Sequence, residues 1–149
     1  MSTNTVSLHR VIKASPEKVF KAFSDATAQA AWLPPYGFLC VVEHFDFKPG
    51  GDYKMKFINF STGNGHTFGG KFVEIKTNEF IKNTDRFDDP NLPGEMTTSV
   101  WFSKVSCGTE IKIVQEGIPE LIPAEMCYLG WQESLEKLMK LVEPEIPDA

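Results

Sequence analysis

The sequence predicts an α+β domain in which a bent antiparallel sheet wraps around a long C-terminal helix, with two short helices after the first strand. Two observations carry this. Near the C-terminus, Tyr128, Trp131, Leu135, Leu138 and Val142 recur at intervals of three and four, with Ala124 one step earlier. That is one face of an amphipathic helix, and Glu133, Glu136, Lys137 and Lys140 lie off it. Residues 38–117, by contrast, read as short strands and turns. A long helix following an all-strand region must bury its stripe against that sheet. The face it offers is aromatic near its start and aliphatic near its end.

The elements follow in order. Val6 to Ile12 is a strand. Ser15-Pro16-Glu17 opens a helix with an N-cap serine, a proline at the first helical position and an acid in the first turn; Val19, Phe20 and Phe23 form its apolar face. Asp25 or Thr27 caps a second short helix that runs through Trp32 and is ended by Pro34-Pro35. The period then changes to two. Leu39, Val41, Glu43, Phe45 and Phe47 alternate with Cys40, Val42, His44 and Asp46, up to a tight turn at Lys48-Pro49-Gly50-Gly51. Tyr53, Met55 and Phe57 alternate with Lys54 and Lys56, a strand with one buried face.

A turn over residues 61–65 leads to a strand over 68–75, where Gly69-Gly70 marks a bulge or sharp bend. Thr77-Asn78 turns into a strand over 80–87. Residues 88–94 form a polar loop, and 96–102 pairs with 110–116 as a last hairpin around Cys107-Gly108. Pro119 and Pro123 mark the link into the final helix, and Pro144 ends it. Sequential antiparallel strands joined by short turns are expected to be neighbours. A strongly bent sheet gripping a helix about 25–30 Å long satisfies the pattern.

Length and charge bound the function. A chain of 149 residues fits a single domain over residues 1–149 and buries enough surface to need no metal or disulfide staple. The net charge of −5 argues against nucleic acid as partner, because phosphate neutralisation needs a basic surface. The three cysteines, Cys40, Cys107 and Cys127, are widely spaced with no CxxC pair, so they read as reduced thiols and no metal site is expected. No signal-peptide pattern and no membrane-length apolar run is present, so a soluble cytoplasmic protein without membrane insertion is expected.

At this level the chain resembles a known family. The segments that carry the resemblance are Arg10-Val11-Ile12, residues 14–23 (ASPEKVFKAF), Trp32 and residues 45–51 (FDFKPGG). They continue with residues 70–75 (GKFVEI), 108–113 (GTEIKI) and 130–135 (GWQESL). The element order is similar to the helix-grip fold of START-related and birch-pollen-allergen-like proteins. Within that group the segments resemble the activator of heat-shock-protein-90 ATPase homologue-like branch, in order and over nearly the whole chain. The resemblance implies a single α+β domain with a cavity between sheet and C-terminal helix. It implies binding of a hydrophobic small molecule, with some relatives enzymes; no cofactor is expected. The eukaryotic co-chaperones of the branch carry a further N-terminal domain, which is not expected here because the first strand starts almost at Met1; the family name is therefore not read as an activity.

The candidate ligand-binding residues are Arg10, Trp32, Tyr53, Met55, Phe57, Phe72, Tyr128, Trp131 and Leu135. Large apolar side chains taken singly are most simply core packing. As a set under one helix they mark a cavity lining, in which the Tyr hydroxyl and Trp indole N–H would orient a ligand. Trp32 either covers the cavity mouth or plugs the end of the core. Arg10 shares the inward parity of Val6, Leu8 and Ile12, so its guanidinium needs an acceptor. Glu43, Glu74, Glu116 and a ligand carboxylate are the candidates.

No catalytic residue is assigned. GxSxG and HExxH are absent, and His44 and His66 lack a recognisable partner set. Three readings remain open. The first is a binding module for a small hydrophobic or amphipathic molecule. The second is a cyclase- or hydrolase-like enzyme using the same cavity. The third is a chaperone cofactor or other protein-interaction module. Either a monomer or a homodimer is compatible.

Overall fold

The computed structural model describes residues 4–148. Its elements are β1 (Val6–Ile12), α1 (Pro16–Ser24), α2 (Ala26–Trp32), β2 (Phe38–Phe45), β3 (Asp52–Asn59), β4 (Gly65–Lys76), β5 (Phe80–Phe87), β6 (Met96–Val105), β7 (Gly108–Glu116) and α3 (Ala124–Val142). The strands form one seven-stranded antiparallel sheet in the order β1-β7-β6-β5-β4-β3-β2. Strands β2 to β7 are a meander, and β1 returns to pair with β7, Leu8 opposite Ile113. The sheet is a curled half-barrel of the helix-grip type. Because β1 and β2 are its two edges, α1 and α2 must cross from one edge to the other.

Local chemistry explains the helix starts. Ser15 Oγ accepts from Lys18 N at 3.2 Å, capping α1. Asp25, not Thr27, caps α2: its Oδ1 accepts from Ala28 N at 2.9 Å. Asn78 takes the left-handed conformation (φ 64°) in the β4–β5 turn, which asparagine tolerates better than most residues. The alternation expected to run through Phe47 stops earlier, since β2 ends at Phe45 and its register on β3 shifts between Val42 and His44.

The core gathers under α1 and the aliphatic half of α3. Ile12, Val19, Ile111, Ile113, Leu135 and Leu138 are wholly or almost wholly buried. Phe23 packs on Trp32 (ring centroids 4.7 Å apart) and edge-on against Phe102 (5.2 Å), a geometry that suits the ring quadrupoles. The stripe of α3 enters the core only with its second half. Leu135, Leu138 and Val142 are buried, while Trp131 is half-buried and Tyr128 is exposed. Among the described strands, the backbone of α3 approaches β1 alone; its other neighbours are α1 and α2.

The segment after α2 is fastened to α3 by polar contacts. Ser134 Oγ donates to Leu33 O (2.5 Å), Lys137 Nζ to Pro34 O (2.8 Å) and Tyr36 N to Glu133 Oε1 (3.1 Å). The Tyr36 hydroxyl also donates to the Glu136 carboxylate. Helix α2 is thereby held over the concave face of the sheet.

Gly70 lets β4 lie close to β5. A Cβ there would stand 1.9 Å from Thr84 O and 2.5 Å from Thr84 C, backbone atoms that cannot move aside without breaking the ladder. Gly130, in the middle of α3, meets nothing closer than 3.9 Å. Gly70→Ala should therefore lower the unfolding free energy by at least about 2 kcal/mol. Gly130→Ala should raise it by about 0.5–1 kcal/mol. Urea midpoints at unchanged slope would measure both, and a neutral Gly70→Ala would contradict the close approach.

Candidate functional site

Where α3 stands off from the middle of the sheet, an internal space of about 70 Å³ remains. Its floor is the inner face of β3 to β7. Its roof is α2 (Gln29, Trp32) with Leu33 just beyond it, Phe23 of α1 and Trp131 of α3. The roof is thus α2 more than the C-terminal helix. Most of the lining is apolar: Met55, Phe68, Phe72, Ile81 and Val100 complete it from the sheet.

Of the residues singled out in the sequence, the structure brings Trp32, Tyr53, Met55, Phe72 and Trp131 to this space. Trp32 is both plug and lining: it is fully buried, and its Nε1 donates to Ala22 O at 2.9 Å. Leu135 is fully buried in the surrounding core without lining the space. Phe57 lies further along β3, in a ring cluster with Phe38, Phe68 and His66. Tyr128 is 40% exposed. Arg10 stands beside Met139, its Nη1 3.6 Å from Sδ, in a surface groove with Lys13, Lys140, Glu136 and Glu143. Of its expected acceptors, Glu43, Glu74 and Glu116 do not line this groove, and Arg10 meets the thioether instead.

The remaining titratable candidates are dispersed. His44 Nε2 is 2.8 Å from Asp52 Oδ1, with both side chains more than half exposed. His66 sits among the rings of Phe38, Phe57 and Phe87, and burial lowers its pKa. Asp88 meets Lys54 at 3.3 Å. No group of three or more metal-ligating side chains occurs among the described residues.

The structure adds a set of polar residues that the sequence reading passed over. Asn83 of β5 lies opposite Thr98 of β6, and Thr98 lies opposite Gln115 of β7. They form a polar row across three strands of the inner face. Trp131 Nε1 donates to Gln115 Oε1 at 3.1 Å, and Gln115 Nε2 to Thr98 Oγ1 at 3.4 Å. At the other end, Asn83 Nδ2 donates to the Tyr53 hydroxyl oxygen at 3.1 Å, and that hydroxyl donates to Thr84 O at 2.9 Å. Two positions from Asn83, on the same face, is Asp85. Its Oδ1 is sealed from solvent and has no hydrogen-bond partner. Period-two parity held the signal: Ile81, Asn83 and Asp85 share a face, and Ile81 plainly belongs inside.

Burial pushes the Asp85 carboxyl from 3.8 up to about 7, against the downward pull of the nearby Tyr53 hydroxyl and Arg86 backbone N–H. Burial, and secondly the neighbouring Asp85 charge, hold the Tyr53 phenol well above its usual pKa of 10.0, so it stays protonated. The site therefore pairs a carboxyl that titrates near neutrality with a fixed phenol.

A family model for activator of Hsp90 ATPase homolog 1-like proteins matches residues 13–143. The chain belongs to this family. A solved structure from Chromobacterium violaceum is 54% identical, covers 95% of this chain and 99% of its own, and superposes with a TM-score of 0.94. The AHSA1 protein of Silicibacter pomeroyi is 20% identical, with coverages of 92% and 96% and a TM-score of 0.80. A Rhodobacter sphaeroides protein is 17% identical, with coverages of 92% and 90% and the same TM-score, 0.80. These last two likenesses establish a shared fold. No curated protein matches the chain. No helix among the described residues is long and apolar enough to cross a membrane.

Asp85 makes a pH prediction for this family member. Its folded pKa lies above the unfolded value, so both states are protonated below about pH 4 and the full stability is present there. As pH rises toward about 7, the unfolded chain sheds the proton first and stability falls. About three pKa units correspond to a loss on the order of 4 kcal/mol. Relative to Asp85→Asn, the native protein should lose that amount between acid and mildly alkaline pH. Parallel stability–pH curves for the two would show that the carboxyl is not buried as described.

Proposed function

We propose that the chain binds a small, largely apolar molecule carrying one polar group, in the space between the inner face of the sheet and α2 with Trp131. The observation that supports this best is the pairing of an aromatic-lined void with one sealed, unpartnered carboxyl oxygen. A buried polar atom without a partner costs stability, and proteins keep few of them without a reason. Family membership supports the same reading at the level of the fold.

Size limits the ligand. Pockets for drug-sized ligands usually hold about 300–1,000 Å³. A space of about 70 Å³ admits a molecule of few heavy atoms in this conformation. A larger ligand requires Trp131 or α2 to move, and the polar fastening of residues 33–36 to α3 is what such a movement would have to release.

A second reading rests on Asp85 itself. A carboxyl titrating near 7 suits proton transfer, because a general acid or base works best near the operating pH. On that reading the bound molecule is turned over, and Asp85→Asn abolishes turnover while keeping affinity.

The binding reading is tested with the full chain and a panel of small apolar compounds that includes toluene. A compound bound to the native state raises the unfolding midpoint in proportion to the logarithm of its concentration. Val100 lines the void and is 2% exposed, so Val100→Phe should occupy the space. The native protein should show a concentration-dependent rise and the folded variant none. Equal shifts in both would place the bound compound elsewhere on the molecule.

A further inference from the structure

The donors and acceptors at the edge of the void are unequally occupied. The Tyr53 hydroxyl proton is directed to Thr84 O, and Asn83 Nδ2 is shared between the Tyr53 oxygen and Thr84 O. The Trp131 N–H is taken by Gln115, and Gln115 in turn donates to Thr98. The donors at both ends of the polar row are engaged within the protein. Asp85 Oδ1 is the open position, and it is an acceptor whenever the carboxyl is ionised.

The charges around it sharpen the point. Asp85 and Tyr53 are the only titratable groups among the described residues that line the void. Opposite Asp85, β6 presents Met96, and β4 has Gly69 and Gly70 alongside, with no side chain to offer. From the roof the polar group is the amide of Gln29. The cations nearest along the chain, Lys82 and Arg86, do not line this space. A carboxylate ligand would find no counter-charge here and one like charge.

We propose that the site selects small neutral molecules with an O–H or N–H donor, of the phenol or indole kind, and rejects carboxylates. The donor is directed to Asp85 Oδ1 and the ring lies among Phe23, Trp32, Phe68 and Phe72. This deepens the cavity-binding reading above and rests on it. An aromatic ring suits walls that carry six aromatic side chains. A hydrogen bond to an ionised acceptor is stronger than one to a neutral acceptor, so binding of the donor ligand strengthens as Asp85 loses its proton. Binding of an anion weakens over the same range.

Three single-ring probes separate these effects: phenol, toluene, which replaces the hydroxyl with a methyl group, and benzoate. Their affinities for the full chain are measured by calorimetry at pH about 5.5 and about 8.5, where a phenol with pKa near 10 remains neutral. The native protein should bind phenol about tenfold or more tightly than toluene at the higher pH, with benzoate weakest. That preference should shrink at the lower pH, become pH-independent in Asp85→Asn, and vanish in Asp85→Ala. If Asp85→Ala fails to fold, the pH profile of Asp85→Asn makes the same decision.

Equal affinity for phenol and toluene in the native protein overturns the inference and leaves cavity binding standing. So does a phenol preference that survives in Asp85→Ala or keeps its pH dependence in Asp85→Asn. Benzoate binding tightest overturns it as well. If none of the probes binds, both the inference and the reading beneath it fail.

Discussion

The constraint on which the molecule depends is geometric. A seven-stranded sheet whose first strand pairs with its last has as its two edges strands that are consecutive in sequence but lie on opposite sides of the sheet, and the chain must pass between them before the meander begins. Helices α1 and α2 make that passage. Their place over the concave face follows from the topology, and Trp32 fixes their depth: it is fully buried, packed at a tilt on Phe23 and bonded to Ala22 O. With the concave face already partly occupied, α3 is left to pack along β1 and against the other two helices. The volume beneath the middle of the sheet is then filled from the strands by long side chains, and incompletely.

Much of this was legible in the chain because it is local. Caps, proline and glycine punctuation and the switch from helical to alternating periodicity locate every element, and the alternation Tyr53, Met55 points both residues inward. What was not legible depends on where an element lies along the sheet. Phe57 shares the parity of Tyr53 and Met55, but β3 carries it past the void into the cluster around His66. Tyr128 continues the stripe of α3, but the buried residues of that helix all lie in its second half, and Tyr128 is exposed. Arg10 has inward parity and sits on an edge strand, where inward means the flank of α3 and the thioether of Met139.

The polar row illustrates a different failure of sequence reading. Asn83, Thr98 and Gln115 are unremarked singly, since a polar residue in a strand is ordinarily on the solvent face. Only the register of β5 on β6 and of β6 on β7 aligns them into one row, and register is a long-range property. Parity within β5 was nevertheless available. Once Ile81 is placed inside, Asn83 and Asp85 follow, and two polar side chains on a core face are more informative than any number of aromatic ones.

The polar row itself is built on strands, and that has a consequence for Asp85. Strand positions are fixed by two neighbours each, so the donors of Asn83 and Gln115 are held in place by the ladder and by their acceptors, the Tyr53 hydroxyl and Thr98 Oγ1, and Tyr53 is locked between Asn83 and Thr84 O. With these donors already directed to other acceptors, Asp85 Oδ1 is left bare. The carboxyl then responds to burial in the one way open to it, by taking up a proton more readily. A polar group supplied from outside the chain is the remaining way to satisfy it. On this argument the rigidity of the sheet and the reactivity of the carboxyl have the same structural cause.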